Sequence, residues 1–132
     1  MQNKNLIDAI SQSKTIALFS HINPDGDAIG SIMALYNFCK DQKKQVCVFL
    51  QTPISENYSF LGINKVANKK FLPFYDLAIG LDCPNKERYG IYQNEFNKAK
   101  YTFSIDHHLG HEGFADVNIV DDKKCSTCEI IF

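Results

Sequence analysis

The sequence predicts an α/β fold of three layers, with a mostly parallel sheet between helices. Three observations carry that expectation. Short apolar runs suited to strands buried on both faces alternate with helical patterns. Acidic and imidazole residues gather directly after those runs, at the edge where open parallel sheets bind ligands. The length is 132 residues, 45% hydrophobic and 22% charged, which fits one globular domain and excludes a disordered, collagen-like or coiled-coil chain.

The elements follow in order. Residues 5–12 read as a short amphipathic helix with Leu6, Ile7 and Ile10 on one face. Thr15–Phe19 (TIALF) is a buried strand, and His21-Ile22-Asn23-Pro24-Asp25-Gly26-Asp27 is a Pro/Gly loop. Residues 27–41 are helical, with Ile29, Ile32, Met33, Leu35, Tyr36 and Phe38 forming an apolar stripe. Gly30 inside that helix implies close packing or a close ligand. Residues 45–50 (QVCVFL) form a second strand, and 55–62 are irregular or briefly helical. Residues 76–81 (DLAIGL) form a third, closed by Asp82-Cys83-Pro84. A polar turn and weak helix over 86–98 precede a strand over 100–105 (KYTFSI), which ends at Asp106-His107-His108. Residues 116–120 are a short last strand.

Charge narrows the function classes. Fourteen basic residues stand against 15 acidic ones, a net of -1. A protein that binds nucleic acid non-specifically through counterion release is usually far more basic. Any polyanion handled here must be small, or held by a local site. Five cysteines form no regular framework, and Cys125 with Cys128 makes one CxxC without a second ligand pair. These are read as reduced thiols rather than a zinc site. No stretch approaches the roughly 20 apolar residues that span a bilayer, and the expected location is the cytoplasm.

Each polar motif has an ordinary reading when taken alone. Pro24-Asp25-Gly26-Asp27 is a common turn string, Asp82 could cap a strand end, and His107-His108 could lie on the surface. Together, three strand ends carrying D-x-D, D and D-H-H are hard to explain as independent turns. On one sheet edge, His21, Asp25, Asp27, Asp82, Asp106 and His107 would crowd several carboxylates together, at a cost of several kcal/mol without a cation. Two divalent metals roughly 3.5–4 Å apart, sharing a carboxylate, remove the repulsion and activate a hydroxide for attack on a phosphoryl group. Asp82, alone at its strand end, is the natural bridge. Asp and His donors suit Mn²⁺, with Mg²⁺ the alternative. The helix opening near Asp27 adds N–H groups that favour anions.

At these residues the chain resembles the DHH phosphoesterase superfamily. The string from His21 to Ser31 (HINPDGDAIGS) is similar to its first motif, Leu81-Asp82-Cys83-Pro84 to its second, and Asp106-His107-His108 to its namesake triplet. Cys125-Ser126-Thr127-Cys128-Glu129 resembles the Ser-Thr segment found further on. With Arg88-x-Gly90, the pattern is most similar to NrnA-like bifunctional oligoribonucleases and phosphatases of 3'-phosphoadenosine-5'-phosphate (pAp). The resemblance implies that His21, Asp25 and Asp82 hold one Mn²⁺, and that Asp27, Asp82 and His107 hold the second. It implies that His108 assists the phosphoryl oxygens and that Asp106 orients His107 from behind.

The expected substrates are short RNA oligonucleotides and nucleotide phosphates, not long duplexes or membranes. A homodimer is the expected full-length assembly. The alternatives are a RecJ-like single-strand exonuclease, a cyclic-dinucleotide phosphodiesterase, or a catalytically inactive metal-binding fragment. That last alternative arises because two family features have no counterpart in the sequence: a further metal-binding aspartate beyond the Ser-Thr segment, and the glycine-rich, histidine-containing motif of the C-terminal DHH-associated domain. Asp121 and Asp122 precede the segment. Ser126-Thr127-Cys128-Glu129 has capping-box spacing, and Ile130-Ile131-Phe132 would open a helix. The chain is therefore expected to be the front part of a longer protein, an incomplete N-terminal DHH domain spanning residues 1–132.

Overall fold

The computed structural model describes residues 5–21, 26–50, 62–83, 85–107 and 113–120. Five strands form one sheet, all pairs parallel, in the order β2-β1-β3-β4-β5. They are β1 (Thr15–Phe19), β2 (Gln45–Phe49), β3 (Tyr75–Leu81), β4 (Ala99–Asp106) and β5 (Val117–Val120). The helices are α1 (Leu6–Gln12), α2 (Gly26–Asp41), α3 (Ile63–Val66) and α4 (Gln93–Asn97), with a 3₁₀ segment over Lys86–Tyr92. The predicted α/β architecture is the observed one, and the sheet is wholly parallel among the described residues. No helix among them is long and apolar enough to cross a membrane.

Strand periodicity divides the core into two layers. Ile16, Leu18, Val46, Val48, Leu77, Ile79, Leu81, Phe103 and Ile105 pack against Ile10 of α1, Ile29 and Ile32 of α2, and Ile63 of α3. The alternate residues Ala17, Phe19, Cys47, Phe49 and Ala78, joined by Tyr75 at the start of β3, pack against Tyr89 and Phe96 on the other face. That second layer is a cluster of rings: Phe19 lies 5.1 Å from Phe49, 5.4 Å from Tyr89 and 5.4 Å from Phe96 between centroids. Gly80 makes room for it, because a methyl group there would coincide with the Tyr89 hydroxyl.

Two readings change. Ile7 and Phe38 are exposed, so neither belongs to the buried stripe of its helix. Periodicity marks a face; what covers that face decides burial. The four-residue α3, too short to show a period, has no counterpart among the predicted elements. The polar stretch 86–98 is held less by its own helix propensity than by burying Tyr89 and Phe96.

At the amino edge of the sheet, one carboxylate ties two strands together. Asp76 Oδ2 accepts from the N–H of Lys14 at 2.8 Å and of Thr15 at 3.2 Å, and the Asp76 N–H donates to Thr15 Oγ1 at 2.9 Å. The Lys14 hydrogen bond is the largest of the influences that lower the Asp76 pKa. A lowered native pKa contributes stability above the unfolded value and loses it as pH falls. Asp76→Asn should cost about 1 kcal/mol at neutral pH, because the site is partly solvated. In urea melts, the gap to the parent protein should close as pH falls below about 3.9, the ordinary aspartate value. Gly80→Ala should cost about 1–3 kcal/mol by overpacking, measurable in the same melts.

Candidate metal centre

The strand order places a topological switch between β1 and β3: β2 lies to one side of β1, and β3, β4 and β5 to the other. Ligand crevices of open α/β sheets form at such points, outside the carboxyl ends of the strands. His21 follows β1 and Asp82 follows β3, so both stand at the switch. The Ser20 hydroxyl donates to the Leu81 carbonyl at 2.7 Å and clamps the two strand ends together. Asp82 turns the chain with φ at 59°, in the left-handed region, while its N–H donates to the Ile105 carbonyl at 2.9 Å. Aspartate is among the few non-glycine residues that adopt this conformation readily.

The side chains converge. Asp82 Oδ2 lies 3.4 Å from His21 Nε2, and its Oδ1 lies 3.3 Å from His107 Nε2. The same His107 nitrogen lies 3.3 Å from Asp27 Oδ2. One buried carboxylate thus turns a different oxygen to each of two imidazoles. Asp27, the second residue of α2, arrives from the helix N-terminus, and Ser31 Oγ, one turn on, donates to its Oδ1 at 3.4 Å. Asp106 is fully buried, and its Oδ1 accepts the backbone N–H of His107 at 2.8 Å. In this contact Asp106 holds the main chain of His107.

Asp27, Asp82 and His107 each offer one ligand atom, and these atoms lie within 4.8 Å of one another. Two carboxylates facing one imidazole nitrogen repel each other, and Asp82 is only 1% exposed. A neutral imidazole nitrogen can donate to one of them at a time. A divalent cation satisfies both carboxylates and accepts the nitrogen lone pair. The donor set therefore fits a metal ion. Asp25 and His108 lie outside the described residues, as do His111, Cys125 and Cys128.

Among the described residues, no cysteine belongs to the group formed by Asp27, Asp82 and His107. Burial raises the Cys83 thiol pKa to about 12 and that of Cys39 to about 11, and Cys83 Sγ donates to the Asn85 carbonyl at 2.9 Å. A protonated, buried thiol is a packing group. Two contributors to the site escaped the sequence reading. Ser31 stands four residues from Asp27, a spacing that could have revealed it. Ser20 carries no pattern; only the pairing of β1 with β3 shows its use.

Comparison with known proteins agrees with this geometry. The model of the DHH family, N-terminal domain, matches residues 15–132. The chain belongs to the DHH family. Within it, the chain is 32% identical to the uncharacterized protein MG371 of Mycoplasma genitalium, across 97% of this chain and 40% of that protein. It is 30% identical to the bifunctional oligoribonuclease and PAP phosphatase NrnA of Bacillus subtilis, across 96% of this chain and 40% of that one. A crystal structure of an exopolyphosphatase-related protein from Bacteroides fragilis superposes with a TM-score of 0.85 at 26% identity, covering 96% of this chain and 40% of its own. This DHH chain thus spans about 40% of the length of these relatives.

A ligand that binds the native state alone raises its stability, by about 2.7 kcal/mol at one hundred times its Kd. Mn²⁺ should therefore raise the melting temperature of this DHH domain by several degrees, and a chelator should reverse the gain. Asp82→Asn keeps the shape and the backbone preference but removes the charge. It should abolish the Mn²⁺-dependent shift in differential scanning calorimetry.

Proposed function

We propose that this protein is a metal-dependent phosphoesterase that hydrolyses short oligoribonucleotides and pAp. The observation that carries the reading is the division of Asp82 between His21 and His107, one carboxylate oxygen to each. This is the arrangement a bridging ligand between two ions requires. The names of relatives support the substrate class: proteins of Bacillus subtilis and Streptococcus mutans described as bifunctional or probable bifunctional oligoribonuclease and PAP phosphatase.

His21 and Asp25, with one oxygen of Asp82, would hold one ion. Asp27 and His107, with the other oxygen, would hold the second. Mn²⁺ suits this mixture of imidazole and carboxylate. When bound, the metal pair lowers the pKa of water and neutralises phosphoryl charge. The chain's own residues do the rest. Asp106 holds the His107 backbone, and the Ser20 clamp keeps His21 and Asp82 on adjoining strand ends. The N-terminal N–H groups of α2 favour a phosphate beside Asp27. His108 is assigned to the phosphoryl oxygens. The near-neutral charge matches a short substrate, since a long single strand calls for an extended positive groove.

The test is hydrolysis by the 132-residue chain with Mn²⁺, using a diribonucleotide, pAp and a single strand of twenty nucleotides. Turnover of the first two, falling away on the long strand, is expected. Asp82→Asn should reduce both activities at least about 10³-fold, the scale for losing one major charge stabiliser. Equal rates on the long strand would replace this reading with a processive exonuclease. No turnover would leave the chain a metal-binding fragment.

A further inference from the structure

Tyr89 is 1% exposed, with its ring 5.4 Å from Phe19 and 5.1 Å from Phe96, and its hydroxyl rests against Gly80. That hydroxyl has no hydrogen-bond partner among the described residues. A buried donor in this state costs about 1–3 kcal/mol. A phenylalanine would fill the same space without that cost, so the choice of tyrosine calls for an acceptor. Tyr75, the other fully buried tyrosine of the described set, shows the usual outcome: its hydroxyl donates to Glu95 at 2.7 Å and accepts the Leu72 N–H at 3.2 Å. In the Arg88-x-Gly90 pattern, Tyr89 is the position that the pattern leaves open.

A short return from Asp82 brings Tyr89 to this place. Cys83 Sγ and the Arg88 N–H both donate to the Asn85 carbonyl, at 2.9 and 3.4 Å, which closes the turn and sends Tyr89 back over the end of β3. Gly80 aligns with Ser104 of β4, where side chains alternate between faces. Phe103 and Ile105 belong to the aliphatic layer, so Ser104 and the fully buried Asp106 face the side of Tyr89. Burial first, then the charges of Cys83 and Asp106, raise the Tyr89 pKa well above its ordinary value. The phenol therefore keeps its proton, next to a buried carboxylate. An ionised carboxylate accepts several hydrogen bonds at once, and Asp106 Oδ1 already takes the His107 N–H at 2.8 Å.

We propose that Tyr89 is a positioning residue of the metal centre: its hydroxyl donates to the Asp106 carboxylate, directly or through one buried water, and so steadies the main chain of His107. The assignment rests on the metal-centre reading and adds to it a residue from the packed interior. The path is short. Asp106 holds the His107 backbone, and His107 Nε2 stands 3.3 Å from both Asp27 and Asp82. Each donor added to a carboxylate narrows its rotation, and a buried carboxylate gains from every donor that replaces water. Groups that hold metal ligands from behind typically change metal affinity roughly 10–100-fold when removed. Tyr89 acts through Asp106 in this scheme, not on the metal.

The test is Mn²⁺ binding by the 132-residue chain without substrate, read from the electron paramagnetic resonance signal of free Mn²⁺. Tyr89→Phe keeps the ring and should weaken binding about tenfold. Tyr75→Phe removes a hydroxyl from the same layer at the opposite edge of the sheet. It should lower the metal-free melting temperature and leave Mn²⁺ affinity unchanged. Asp106→Asn should also weaken binding, and adding Tyr89→Phe to it should cost little more, because the two act along one path. Unchanged affinity in Tyr89→Phe would overturn the proposal. So would an equal loss in Tyr75→Phe, which would mean a general loosening of the layer, or losses that simply multiply in the double variant. A parent chain that leaves the Mn²⁺ signal unchanged would overturn the metal centre itself, and this proposal with it.

Discussion

The arrangement of the carboxyl edge depends on one buried carboxylate. Asp82 is almost inaccessible to water and faces an imidazole with each oxygen. Removing such a group from water is costly unless charge or hydrogen bonds compensate. That requirement draws three strand ends together: His21 after β1, Asp82 after β3 and His107 after β4. It also explains why the start of α2 brings a second carboxylate, Asp27, to the same place. The extra charge is tolerable where a cation is to be held and costly where none is.

The sheet makes this convergence mechanically firm. Apolar layers lie on both faces, so the strands cannot shift register without moving every side chain to the wrong layer. The two layers differ in kind. Aliphatic residues under α2 form one, and interlocking rings under the 3₁₀ segment and α4 form the other. The second layer reaches to within two residues of Asp82 through Gly80, whose missing side chain is replaced by the Tyr89 hydroxyl end. Packing behind the sheet therefore bears directly on the geometry at its edge.

Much of this was legible in the sequence because doubly buried parallel strands leave short, plain apolar runs. Thr15–Phe19 was bounded to the residue, and the other strands to within one or two. The convergence of Asp27, Asp82 and His107 was legible for the same reason: parallel topology places every strand's far end on one edge. The exposure of Ile7 and Phe38 was not legible, since the same periodicity describes a covered face and a bare one. Nor were the left-handed turn at Asp82, the separate destinations of its two oxygens, or the strand clamp by Ser20. Each depends on a neighbour 20 or more residues away in sequence, and local pattern carries no information about such a neighbour.

The turn at Asp82 restricts what that position can become. A backbone at φ of 59° admits glycine freely and, at low strain, asparagine and aspartate. Among these three, only aspartate offers two charged oxygens. Backbone handedness and ligand chemistry thus act as two independent filters, and their intersection is a single amino acid. A glutamate retains the charge but is less suited to the turn, and an asparagine accepts the turn but loses the charge. Position 82 should therefore be close to immovable by single substitutions, even if the surrounding aromatic layer is extensively repacked.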